Sequence, residues 1–257
     1  MPPVRISRKG PRTTITLSRP EVHNALDPVL LGALTEAFQR TTREPDVRVV
    51  VLAADGPSFC AGADLRWMRA AVGASLEDNR RDAAQLADLL GTIVTCPKPV
   101  IARVHGAVLG GGMGLVAACD LAVARPDATF GLTEVRLGLV PAMIFPFLLR
   151  KVAPAELLWA ALTGSRFSAE RAHRMGLVNA VASDPDAVVD EWEEALCAAG
   201  PHALAAVKEL FRTVPHLGPE EAKQFTVDLI ARVRTGEEAQ EGMRAFLEKR
   251  KPSWQER

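Results

Sequence analysis

Val100-Ile101-Ala102-Arg103-Val104-His105-Gly106-Ala107-Val108-Leu109-Gly110-Gly111-Gly112-Met113-Gly114-Leu115 is the stretch whose reading decides the fold. Val100 to Val104 reads as a strand, the glycines from Gly106 to Gly114 break the pattern, and the small apolar residues up to Cys119 read as a short helix. Leu121-Ala122-Val123-Ala124 then restarts a strand. Upstream, Val47 to Ala53 is a nearly continuous β-branched run, as in a strand covered on both faces. Thr13-Thr14-Ile15-Thr16-Leu17 alternates like a half-buried strand. Asp27-Pro28 supplies an N-cap and a first-turn proline for a helix with Leu31, Leu34 and Phe38 on one face. Ser75-Leu76-Glu77-Asp78 resembles a capping box and leads into a helix burying Leu86, Leu89, Leu90 and Ile93, which Pro97 and Pro99 end. Strands and helices alternating at this spacing predict an α/β layered core.

Downstream, helices are expected from Pro154, Ser168 and Pro185. After Gly200-Pro201 no strand signal returns; 203–212, 219–234 and 237–251 read as helices. The expected division is a core over 1–199 and a helical region over 200–257, too short for a core of its own and suited to packing on the core or on another subunit.

The chain has 257 residues, 48% hydrophobic and 24% charged, and its 31 basic and 31 acidic side chains cancel. That balance gives no general attraction to nucleic acid or an anionic membrane. The N-terminal basic residues are followed by no apolar stretch, so no secretory signal is read. The longest charge-free apolar run, Gly106 to Cys119, is short of the ~18–20 residues that span a bilayer. Cys60, Cys96, Cys119 and Cys197 form no CxxC pair, which argues against zinc or a redox couple. A cytoplasmic protein with reduced thiols is expected.

Nucleophile-elbow, HExxH, Walker-type and EF-hand patterns are absent. The glycine run follows a strand and opens a helix, yet Leu115 stands where GxGxxG needs its last glycine, so a nicotinamide cofactor is not supported. Glycines at a helix start let the backbone approach a ligand and leave unpaired amides that favour negative charge. The plainer reading of this run is close helix–strand packing. Small residues in Ser58-Phe59-Cys60-Ala61-Gly62-Ala63-Asp64-Leu65 again expose amides, and a simple turn is the alternative. Cys60 is not read as a nucleophile, because no histidine has a context tying it to the thiol; His105 reads as a core histidine. Glu134 sits among apolar neighbours, where burial would raise its pKa as general acid–base work needs. Its plainer reading is a carboxylate paired to Arg136.

Taken together, three segments resemble the enoyl-CoA hydratase/isomerase (crotonase) family in order and spacing. They are Phe59 to Leu65, Ala107 to Leu115 with Cys119-Asp120, and Phe130-Gly131…Glu134…Leu137-Gly138-Leu139-Val140-Pro141. The opening Arg19-Pro20…Asn24-Ala25-Leu26 and the ending Glu241-Gly242-Met243…Phe246-Leu247-Glu248-Lys249-Arg250-Lys251 resemble it too, so the likeness covers essentially the whole chain. It implies a spiral of ββα turns with a helical C-terminus that builds trimers, often paired as hexamers. It implies an acyl-CoA substrate, the backbone amides of Ala61 and Gly111 as an oxyanion hole, and Glu134 as the group that moves the proton. Asn24, Ala25, Leu26, Ala61, Gly62, Ala63, Asp64 and Leu65 would lie along the CoA. Gly110, Gly111, Gly114 and Pro141 would also touch substrate, and Phe246 and Lys249 would approach a CoA, that of a neighbouring subunit included. No metal or redox cofactor is implied; coenzyme A belongs to the substrate.

One position departs from the pattern: where two-acid hydratases of the family carry a second glutamate, this chain has Gly114. The expected reaction is hydration of a 2-enoyl-CoA through Glu134 alone. The alternatives are Δ3–Δ2 enoyl-CoA isomerisation and an acyl-CoA-binding homologue without turnover. Within the family, the segments 63–68, 114–120 and 140–144 are similar to bacterial hydratases of branched glutaconyl thioesters such as 3-methylglutaconyl-CoA. Phe145 and Phe147 depart from that likeness and would alter the acyl pocket.

Overall fold

A computed structural model describes residues 2–255. Strands β1 (Val4–Lys9) and β2 (Arg12–Leu17) form an antiparallel hairpin; β3 (Val49–Ala54) lies parallel to β2. With β4 (Val100–Val104), β6 (Leu121–Ala124) and β9 (Ala180–Val181) they make a six-stranded sheet in the order β1-β2-β3-β4-β6-β9. A second sheet joins β5 (Ala107–Leu109), β7 (Thr129–Gly131) and β8 (Arg166–Ser168) in the order β5-β7-β8. The pairs β4–β5 and β6–β7 each send one strand to the large sheet and the next to the small one, and β8–β9 do so in the reverse order. In the turn that follows β3, the second strand shrinks to a single bridge, Cys60 to Val108.

The valine run has a direct physical explanation. In β3, Val50, Leu52 and Ala54 face one layer, which holds α1 (Pro28–Arg43) and α3 (Leu76–Thr95), while Val49, Val51 and Ala53 face α8 (Pro185–Ala198). The period of two puts alternate residues on opposite faces, and both are covered. The same covering corrects the half-buried reading of Thr13 to Leu17. Thr13 and Thr16 are buried, and Arg12 ion-pairs with Asp190 (2.7 Å) and Glu193 (3.1 Å) on α8. Strand β1 was not read from the sequence; its five outer positions are exposed, and Arg5, Arg8 and Lys9 guard the sheet edge with charge.

Asp27 caps α1 by accepting from Leu30 N at 2.8 Å. At α3 the expected capping box is only half formed: Ser75 Oγ accepts from Asp78 N (3.1 Å), but the Asp78 carboxylate accepts a hydrogen bond from that hydroxyl (2.6 Å) instead of reaching the Ser75 backbone. The remaining helices are α2 (Leu65–Ala71), α4 (Gly111–Ala118), α5 (Phe145–Leu148), α6 (Pro154–Thr163) and α7 (Ala169–Arg174). After residue 200 come α9 (Pro201–Thr213), α10 (Pro219–Thr235) and α11 (Glu237–Leu247). The last ends before the expected Lys251, because Lys249 turns left-handed (φ 54°) and Arg250 folds back onto Glu241 and Glu248. Among the described residues, no helix is long and apolar enough to cross a membrane, and no cluster of His, Cys, Asp or Glu could hold a metal ion.

Candidate active site

The three segments singled out in the sequence meet at one place. Leu109 N donates to Cys60 O (2.9 Å), and Gly110 N donates to Gly131 O (3.0 Å), so β5 links the Ala61 loop to the segment leading to Glu134. Gly110 has φ 49°, and a Cβ there would stand 3.0 Å from Glu134 Oε1 and 3.9 Å from Gly62 Cα. Only glycine tolerates both the left-handed backbone and that crowding. Gly62, Gly110 and the Glu134 carboxyl therefore surround one small space.

Which amides face that space follows from accounting for each one. Phe59 N donates to His105 O and Cys60 N to Ala107 O, both at 3.0 Å. Ala61 N donates to His23 O at 3.0 Å. The Gly62 backbone hydrogen-bonds the Cys60 sulfur, and Asp64 N donates to Leu26 O at 2.8 Å. Ala63 N is left without an acceptor among the described residues. This corrects the sequence reading: Ala61 cannot supply the donor because its N–H is spent on His23, and the open amide is that of Ala63, whose residue is exposed.

The peptide geometry also sets where these amides point. In a trans peptide, C=O and N–H are opposed. Gly62 O accepts from Leu26 N at 2.7 Å, so the Ala63 N–H of the same peptide points away from Leu26. Gly110 O accepts from Met113 N (2.9 Å) and Gly114 N (3.3 Å), along α4, so Gly111 N–H points out of that helix's start. As the first residue of α4, Gly111 has no intrahelical acceptor.

Glu134 opens a short 3-10 turn, Glu134–Leu137, closed by Gly138 at φ 71°. Among the described residues, three buried side-chain polar atoms lack a hydrogen-bond partner: Thr13 Oγ1, Thr41 Oγ1 and Glu134 Oε2. Only the last belongs to an ionisable group. The expected partner Arg136 is exposed and makes no ion pair with it. Burial pushes the Glu134 carboxyl above its ordinary range, opposed by its own backbone N–H. Leaving a buried carboxyl unpaired costs stability, and the neighbouring open amides give it a use.

Gly114 is not open to a ligand. A Cβ on it would lie 2.4 Å from Ile144 Cγ2, 3.0 Å from Ile144 Cβ and 3.3 Å from Leu90 Cδ1. The position that carries a second acid in the resemblance is thus plugged by hydrocarbon. Asp64 does not replace that acid. It caps α2 through Arg66 N (2.8 Å) and pairs with Arg19 (2.9 Å), and the Arg66 amide and then Arg19 hold its carboxyl below the usual range. Asn24 is fully buried; its Nδ2 donates to Asp55 O and Ser58 O at 2.8 Å each, so its side chain holds the loop and does not meet a ligand. Ala25 and Leu26 are buried, and Leu26 Cδ1 lies 2.5 Å from where a Cβ on Gly111 would be. Pro141 is buried, and its carbonyl accepts from Phe145 N. Leu65 is exposed at the start of α2; Phe246 is 83% exposed at the end of α11 with Lys249 just beyond.

Cys60 is buried and its thiol is pushed up to about 12 by desolvation, which makes it inert. His105 lies just past β4, half-buried rather than in the core, with Nε2 2.9 Å from Gly56 O. The two residues the sequence reading passed over are Ala63, as donor, and Ile144, as plug. The alternation of small residues in Ala61-Gly62-Ala63 was the available signal for the first.

Comparison with known proteins identifies the family. Residues 12–257 match the family model described as enoyl-CoA hydratase/isomerase. A putative enoyl-CoA hydratase of Thermus thermophilus is 36% identical over 247 residues, 95% of this chain and 97% of that one. Carnitinyl-CoA dehydratase of Salmonella enteritidis is 35% identical over 262 residues, 99% and 98% of the two chains. The crystal structure of an enoyl-CoA hydratase from Shewanella pealeana superposes with a TM-score of 0.95 at 35% identity, covering 98% of this chain and 96% of that one. An enoyl-CoA hydratase from Mycobacterium smegmatis gives 0.91 at 39% identity, covering 99% of each. The chain belongs to the enoyl-CoA hydratase/isomerase family and has the crotonase fold.

Proposed function

We propose that this protein adds water across the 2,3 double bond of an enoyl-CoA, with one carboxyl group handling the proton. The observation that carries the reading is the partnerless Oε2 of Glu134 beside the acceptor-free amides of Ala63 and Gly111. The thioester oxygen sits between the two amides. Glu134, as carboxylate, takes a proton from water while the water oxygen bonds to C3 and the C2=C3 electrons shift to form the enolate. The amides hold the enolate oxygen. The same carboxyl then returns its proton to C2, and the carbonyl reforms. Atoms balance with no redox step. Losing one such donor typically costs ~2.7–4 kcal/mol of transition-state stabilisation, and a positioned carboxyl adds roughly 10²–10⁴-fold. Relatives named hydratase and dehydratase support water as the group exchanged.

A second reading has its own observation. Ile144 fills the space at Gly114, and one carboxyl suffices to carry a proton between C4 and C2 in Δ3–Δ2 isomerisation. The deciding experiment supplies but-2-enoyl-CoA and but-3-enoyl-CoA in H₂¹⁸O, following the conjugated thioester absorbance and the products by mass. Label in a 3-hydroxyacyl-CoA supports hydration. Conversion of the 3-enoyl to the 2-enoyl thioester without label supports isomerisation, and inertness to both refutes the reading. Preference for branched glutaconyl thioesters rests on likeness in residues 63–68, 114–120 and 140–144; competition between 3-methylglutaconyl-CoA and but-2-enoyl-CoA tests it. Exposed Phe246 and Leu247 fit a trimer in which α11 reaches a neighbour, and light scattering of the purified protein, which reads the mass directly, tests it.

A further inference from the structure

Arg19 makes more directed contacts than any role in holding the first loop requires. Its Nη1 lies 2.8 Å from Ala25 O and 2.9 Å from Asp27 Oδ2, and its Nη2 lies 2.9 Å from Asp64 Oδ2. Its own backbone N donates to Asn24 Oδ1 at 2.8 Å, and its side chain is 18% exposed. These partners are not scattered. Ala25 and Asp27 flank Leu26, and Asp64 follows Ala63. Leu26 is the residue whose N holds Gly62 O and whose O holds Asp64 N, the two hydrogen bonds of the Leu26–Ala63 bridge.

We propose that Arg19 is the positioning residue of the oxyanion hole, its guanidinium bracketing the Leu26–Ala63 bridge so that the Ala63 amide stays aimed at the substrate oxygen. The inference rests on the reading of the Ala63 and Gly111 amides as that hole. Arg19 touches no substrate; it acts through Leu26 and Asp64. The planar fork suits the task, because its two terminal nitrogens reach a carbonyl and two carboxylates in a fixed geometry, whereas an ammonium presents its donors from a single point. It also joins the caps of α1 and α2: Asp27 accepts from Leu30 N and Asp64 from Arg66 N. Rotation of either helix start would turn the Ala63 peptide, and Arg19 ties the two together.

The test reads the carbonyl itself. Butanoyl-CoA labelled with ¹³C at the thioester carbon binds without being hydrated, and its C=O stretch falls in frequency when two amides polarise it. Wild type, Arg19→Met and Arg19→Lys are compared by difference infrared spectroscopy, alongside kcat and KM with but-2-enoyl-CoA. For Arg19→Met, the frequency is expected to return more than halfway to the free value. Its kcat is expected to fall about 10–100-fold, less than the ~10²–10³ of losing a donor outright. Arg19→Lys recovers part of both. A folded Arg19→Met with the wild-type frequency overturns the inference. No lowering in the wild type would instead overturn the oxyanion hole and the inference together. Should Arg19→Met fail to fold, Asp27→Asn decides on the same two readouts, since Asn still caps α1 while the ion pair to Arg19 is lost.

Discussion

Gly114→Ala is the most direct probe of whether the second acid position is closed. The new Cβ would stand 2.4 Å from Ile144 Cγ2 and 3.0 Å from Ile144 Cβ. Turning the isoleucine about χ1 moves the first atom but not the second, and a β-branched side chain is stiff there. Overpacking of this kind costs about 1–3 kcal/mol. Opposing it, alanine in place of glycine inside a helix gains about 1 kcal/mol. The clash outweighs this gain, leaving a net loss of up to about 2 kcal/mol, or up to roughly 8 °C in Tm for a chain this size. Ile144→Ala alone should cost about 2–5 kcal/mol through the cavity it leaves. The double variant should cost less than the two together, with a coupling of about 0.5–3 kcal/mol in a thermal double-mutant cycle. Gly114→Glu should be worse than Gly114→Ala alone, yet combined with Ile144→Ala it should gain hydration rate, because a second carboxyl then has room. Additive stabilities, or a Gly114→Glu single variant as stable as wild type, would refute the plug.

Four further outcomes are open to direct measurement. Glu134→Gln should lower kcat by about 10²–10⁴-fold with little change in KM, read by loss of enoyl absorbance. With Glu134 as the base of the proposed mechanism, wild-type kcat should rise with pH through an inflection above the ordinary carboxyl value of about 4.3, and Glu134→Gln should lack that inflection. The stability effect has the opposite sign. The folded state holds this proton more tightly than the unfolded one, so the contribution favours folding below the ordinary value and is lost as pH rises through the raised one. Thermal melts should therefore show Glu134→Gln gaining on wild type as pH increases across that window. Finally, alkylation of the native protein should modify half-buried Cys197 before buried Cys60, Cys96 or Cys119, with activity retained; rapid inactivation with label on Cys60 would contradict its burial.

Much of the framework was legible because its causes are local. Asp27-Pro28 announces a helix start within four residues, and the valines of β3 announce a strand covered twice. What escaped reading depends on partners distant in the chain. Ala61 and Ala63 look alike in sequence, and only His23 and Leu26, dozens of residues earlier, determine which amide is spent. Gly114 looks like an empty place until Ile144, thirty positions on, is seen filling it. Asp64 looks like a candidate acid, but Arg19 and the α2 amide claim its oxygens. Strand β1 escaped because charged residues on its exposed face hide a pattern that pairing with β2 makes regular.

In the proposed mechanism, neutral amides at the oxyanion are what allow a single glutamate to serve as both base and acid. A lysine or arginine there would also hold the enolate, but at about 4 Å from Glu134 it would favour the carboxylate by about 4 kcal/mol at an effective dielectric near 20. At about 1.4 kcal/mol per pKa unit, that would drop the group by roughly three units and deprive it of the strength to keep, then return, a proton. The chain avoids this. Arg19, which touches the Ala63 loop through Asp64, is matched by two carboxylates, Asp27 and Asp64, and Arg136 stays exposed without pairing to Glu134. Burial, opposed by its own backbone N–H, then raises the Glu134 carboxyl above its ordinary range, the direction that general acid–base work needs.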